Sequence, residues 1–178
     1  KKSPYSLEVL ANLIYGPSAI SLSYALAFYG MIPERVSTIT SITPKRYKKF
    51  ETPVGNFVYT YLHPDKYSIG IRLESTSIQQ QFFIASPEKA LCDQIHLIDK
   101  HLVFKKIEDM EFYLFHDLRI EQASLQKMSI KNISSITKIY HDNKLIFLKQ
   151  FYRHGKNSMH SLIEHMLKKY TCHAEQAY

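Results

Sequence analysis

The sequence predicts an α+β domain: a small antiparallel sheet of about four strands flanked by helices, followed by a C-terminal helical portion. Three observations lead there. Short runs of β-branched and aromatic residues alternate between residues 36 and 85, and Pro53-Val54-Gly55-Asn56 joins two of them as a hairpin turn. From Ser86 onward the apolar residues recur at helical spacing instead. The boundary falls near Lys105, giving a core domain over 1–104 and a helical portion over 105–178 packed on it.

The elements follow from their own punctuation. Two helices are expected at about 5–15 and 18–30; Gly16 and Pro17 break the first, and Ser18 or Ser21 is positioned to cap the second. Gly30 suits the left-handed residue that ends a helix, and Pro33 stops continuation. Residues 36–43, 47–52, 56–63 and 80–85 read as strands, with another candidate at 67–73 and a polar loop or hairpin tip at 74–81. Ser86 is a natural N-cap, Pro87 suits the first helical position and Glu88 complements the helix dipole, so Ser-Pro-Glu-Lys has a structural explanation without catalysis. Lys89 and Asp93 stand four residues apart as an ordinary helix pair. Further helices are expected at about 107–118, 121–127, 130–141, 144–153 and 158–170, the last with an apolar stripe from Met159 to Tyr170.

The apolar content of 45% over 178 residues is enough for one ordinary core without metal or disulfide. No apolar run approaches the roughly 18 residues of a membrane span, and no signal-peptide order opens the chain. Cys92 lies in an apolar helix pattern and Cys172 near the C-terminus, which favours free thiols and a reducing cytoplasm.

The chain lacks a phosphate-binding Gly-rich loop, a Gly-x-Ser-x-Gly elbow, a His-Glu-x-x-His motif and a Cys-x-x-Cys pair. His160 and His165 are five apart, the wrong spacing for paired ligands on one helix face, so no metal, no cofactor and no catalytic residue is expected. The net charge of +7 is uneven: Lys127, Lys131, Lys138, Lys144, Lys149, Arg153 and Lys156 face only Asp142 between residues 125 and 160. A second cluster, Lys45, Arg46, Lys48 and Lys49 around Tyr47, lies between a strand and a hairpin, where side chains project. These two sets form the expected surface for a polyanion or an acidic protein face, with solvated lysine surfaces as the alternative.

Residues 15–43 carry a further signal. Pro17-Ser18-Ala19-Ile20-Ser21-Leu22 through Tyr29-Gly30-Met31-Ile32-Pro33-Glu34, then Thr40-Ser41-Ile42-Thr43, resemble the helix-to-strand motif of the AbiEi family, antitoxins of AbiE-type toxin–antitoxin pairs. The likeness continues through the basic run at 45–50, Gly55 and Phe57, and Ser86-Pro87-Glu88-Lys89-Ala90-Leu91-Cys92-Asp93, covering roughly Leu10 to Leu97. Met31 stands where the family usually has Leu. The winged-helix DNA-binding segment that precedes this domain in the family is missing, and the chain opens at Lys1-Lys2-Ser3-Pro4 without methionine; a trimmed piece and a member lacking the segment both fit.

The resemblance implies a type IV antitoxin that neutralises a nucleotidyltransferase-type toxin without a stable complex and, in full-length form, represses its own promoter through the N-terminal segment. No enzymatic activity is implied. A nucleic-acid-binding transcriptional regulator without a toxin is the main alternative, and a metal- or nucleotide-dependent enzyme a third.

Overall fold

The computed structural model describes residues 6–75, 80–98 and 102–153. The expected helix at 158–170, its stripe and cap, His154, His160, His165, Lys156, Cys172 and the opening residues 1–5 lie outside them. Local chemistry starts most elements. Helix α1 (Leu7–Ile14) is capped by Ser6, whose hydroxyl accepts from the Glu8 and Val9 N–H groups. Strand β1 (Ala19–Ile20) leads into α2 (Leu22–Phe28), and α2 ends as its glycine requires. Gly30 has φ +65°, its N–H bonds to the Ala27 carbonyl, and the Met31 N–H reaches back to Leu26 at 2.9 Å.

Strands β2 (Ile39–Thr43), β3 (Lys48–Thr52) and β4 (Gly55–Tyr61) follow, then a single turn of helix, α3 (Pro64–Tyr67), and strands β5 (Ile71–Ser75) and β6 (Gln81–Ala85). Ser86 opens α4 (Pro87–Asp93) by accepting from the Lys89 N–H at 3.2 Å, and α4 continues into a π-helical turn over Gln94–Ile98. Helix α5 (Ile107–Phe112) likewise runs into a π turn at Tyr113–Asp117, and α6 (Gln122–Gln126), α7 (Ile130–Tyr140) and α8 (residues 143–153) complete the described chain.

The sheet corrects the expected fold class. Six strands, not about four, lie in the order β3-β4-β2-β1-β6-β5, and the sheet is mixed, which makes the fold α/β. β2 pairs with β4 and β1 with β6 in parallel; the other neighbours are antiparallel. The physical reason is β1. Its two residues sit in an apolar run that reads as the beginning of a helix, yet Ile20 pairs with both Ser41 and Ile84 and so joins the two halves of the sheet. The β3–β4 hairpin, with Thr52 opposite Gly55, forms at the expected turn.

Helices cover the sheet through short-range packing. α1 lies on β1, β2 and β6, α2 on β2 and α4, and α7 on α4 and α3. One apolar core runs from Ala11 through Ile20, Tyr59, Ile84 and Leu91 to Leu114, Ile133, Leu148 and Tyr152.

Candidate functional site

The basic loop at 44–47 is held by the end of β2. The Thr43 hydroxyl donates to the Pro17 carbonyl at 2.8 Å and accepts from the Lys45 N–H at 3.2 Å, which fixes where the loop leaves the sheet. The Lys45 ammonium donates to the Gly16 carbonyl at 2.5 Å and stands 5.4 Å from the centre of the Tyr15 ring. Tyr15 in turn packs edge-on against Tyr59, at 5.3 Å between ring centres, and that phenol donates to the Ala11 carbonyl. The aromatic floor is therefore anchored to both α1 and β4.

Above this floor lies an open hollow of about 640 Å³ lined by Tyr15, Pro44, Lys45, Arg46, Tyr47 and Tyr61. Tyr47 is 59% exposed and Tyr61 47%, so both side chains reach solvent at the hollow. Alternation along β3 separates the remaining cations: Lys48 stands opposite Tyr59, and Lys49 opposite Val58 on the reverse face. Lys49 pairs there with Glu51 at 2.6 Å, an exposed contact that adds little stability. The structure thus gathers Lys45 and Arg46 with three tyrosines and sets Lys49 apart.

The helical cations are more dispersed. Lys131 and Lys138 are exposed on α7, Arg153 is exposed on α8 and Lys149 is half-buried there. Lys144 is not an open cation: its ammonium donates to the Ile95 carbonyl at 2.6 Å, and its N–H bonds to Asp142 at 2.9 Å, clamping α8 to the turn after α4.

The polar feature that sequence reasoning missed is internal. Lys89 and Asp93, expected as an ordinary helix pair, are both fully buried and 2.8 Å apart. Asp93 also accepts from the Ser21 hydroxyl at 2.6 Å and from the Tyr140 hydroxyl, while Lys89 donates to the Lys66 carbonyl at 3.1 Å. Burial, with the Asp93 charge beside it, pushes the Tyr140 phenol far above its ordinary range. Four elements, α4, α7, α3 and the start of α2, converge on this pair. Ser21 occupies the cap position of α2 but makes no side-chain cap; its hydroxyl instead donates to Asp93. The available signal was that Lys89 and Asp93 bracket the apolar run Ala90-Leu91-Cys92 at i, i+4 spacing.

Glu88 is buried too, and its carboxylate accepts from the Ser129 N–H at 2.9 Å, tying α4 to the start of α7. Burial raises the Cys92 thiol well above its ordinary value, which leaves it protonated. Among the described residues no group of three His, Cys, Asp or Glu side chains could hold a metal ion, and no helix is long and apolar enough to cross a membrane. No protein-family model matches the chain, and no curated protein matches its sequence. The sealed Lys89–Asp93 pair joins helices, whereas the hollow brings charge and aromatic surface together at the solvent boundary.

Proposed function

We propose that this chain is the toxin-neutralising part of an AbiEi-like antitoxin, acting in the cytoplasm against a nucleotidyltransferase-type toxin, with no catalysis or cofactor of its own. One observation carries the reading furthest beyond the motifs themselves. The two segments of the resemblance that lie farthest apart, Pro17–Leu22 and Ser86–Asp93, meet at the buried bond from Ser21 to Asp93. Polar residues shared between those motifs thereby have a joint structural reason: they lock the helix start to the helix that follows the sheet. Repression of its own promoter belongs, in this reading, to the full-length protein and a preceding winged helix.

A growth-rescue assay tests it. The chain is co-expressed with the nucleotidyltransferase encoded beside its gene, and restored growth is the expected result. Continued growth arrest, with the chain expressed and folded, overturns the proposal. The exposed basic hollow favours a second reading, a nucleic-acid-binding regulator without a toxin; a neighbourhood lacking any nucleotidyltransferase gene, together with promoter binding by the full-length protein, would select it.

A further inference from the structure

We infer that the hollow between α1, the β2–β3 loop and the end of β4 binds a single strand of nucleic acid, bases against its tyrosines and phosphates against Lys45, Arg46 and Lys48. The inference stands on the site's own chemistry and does not depend on the antitoxin reading. Three rings, Tyr15, Tyr47 and Tyr61, line one open concavity, and two of them are about half exposed. Exposed rings scattered singly are ordinary, but three gathered around one hollow beside cations make a contiguous surface that a flat ligand can cover. Unpaired bases have the matching flat faces, whereas in a duplex those faces are already stacked on one another.

The cations are arranged for the same ligand. Lys45 is pinned between the Gly16 carbonyl and the Tyr15 ring, so its charge sits at the floor of the hollow. Arg46 lies on the loop beside it, and neither Arg46 nor Lys48 forms an ion pair among the described residues. Lys48 emerges on the face shared with Tyr59 and Phe50, while Lys49 turns away to Glu51. An acidic peptide would use the charges but leave the tyrosine faces uncovered. Along 45–48 the Tyr47 ring stands between Arg46 and Lys48, with Tyr15 and Tyr61 facing the same hollow, which suits a ligand that carries both flat bases and phosphates.

Fluorescence anisotropy of the purified chain with a labelled oligouridine, an oligothymidine and a blunt DNA duplex tests this. Single strands should bind more tightly than the duplex, and affinity should fall steeply between about 50 and 200 mM salt. Tyr47→Ala with Tyr61→Ala should weaken single-strand binding by about tenfold or more, since each stacked base is worth that much, and thermal melting should show the variant still folded. Arg46→Gln should weaken binding and flatten its salt dependence. Three results overturn the inference: equal affinity for duplex and single strand, unchanged binding in the folded double-tyrosine variant, or capture of polyglutamate in preference to either oligonucleotide. The last would assign the hollow to an acidic protein segment.

Discussion

Lys89 illustrates how one side chain sets the cost of a change. Its ammonium has Asp93, the Tyr140 hydroxyl and the Lys66 carbonyl as partners, and none of its surface reaches water. Replacing it with an apolar residue strands the Asp93 carboxylate in the core; Lys89→Met is expected to cost about 3–5 kcal/mol, the range for a buried pair broken on one side. Urea unfolding measures it, and a loss below about 1 kcal/mol would mean that water or another cation reaches Asp93. Asp142 offers a pH-dependent counterpart. Burial would raise its pKa, but the bonds from His96, at 2.6 Å, and from the Lys144 N–H outweigh that and hold it below the ordinary value of 3.8. A depressed carboxylate stabilises the fold above its ordinary pKa and loses that contribution as pH falls through the folded value. Asp142→Asn should therefore lower the melting temperature at neutral pH, and the gap from the parent should close below about pH 3.8; a gap that stays constant into acid would show that the carboxylate charge contributes nothing.

At the level of elements, the join between β5 and α4 depends on a residue without a side chain. Gly70 has φ +72°, and a Cβ there would approach the Lys89 Cβ to 3.1 Å. Its carbonyl also accepts from the Ser86 N–H at 2.7 Å, so the turn that opens β5 is coupled to the cap of α4. Gly70→Ala should cost about 1–3 kcal/mol through backbone strain, and chemical denaturation with an unchanged m-value would show a native fold of reduced stability. What could be read from sequence among the elements follows the range of the forces involved. The β3–β4 hairpin, the Ser86 cap and the Gly30 helix end are decided within four or five residues, and all three form where the sequence places them. The β1–β6 and β2–β4 parallel pairings join segments separated by longer stretches of chain, and no local propensity marks them. Strand β1 is too short to announce itself: Ala19 and Ile20 are equally at home in a helix, and only pairing on both sides makes them a strand. The hollow divides in the same way. Its cations and Tyr47 are adjacent in sequence and could be read there, whereas Tyr15 and Tyr61 reach it only through the fold.

For the whole molecule, the charge is +7 and its distribution can be tested as a surface property. If the basic loop is what opposes the toxin, Arg46→Glu with Lys48→Glu should abolish growth rescue while leaving the fold intact, since exposed substitutions that break no contact usually shift stability by about 0.5 kcal/mol or less. Lys105→Glu with Lys106→Glu is the matched control: both side chains are exposed on a different element, and the bonds to Asp109 there come from their backbone N–H groups. Rescue by both variants would move the neutralising surface elsewhere.

The position of β3 at the outside of the sheet has a consequence for any such experiment. No strand among the described residues lies beyond it, so its outer N–H and C=O groups have no strand partner there and form an edge that a second copy could extend. Lys48 and Lys49 stand at the start of this strand, and charged side chains on an edge disfavour pairing with a second copy wherever like charges would be brought opposite one another. Substituting both with valine would leave a β-favouring Val-Val-Phe run on an open rim, and the protein would be expected to lengthen its sheet by self-pairing into aggregates. Substitution by glutamate reverses the charge yet keeps the copies apart, so Lys48, which offers its charge to a ligand, also acts with Lys49 to keep this protein from becoming its own partner.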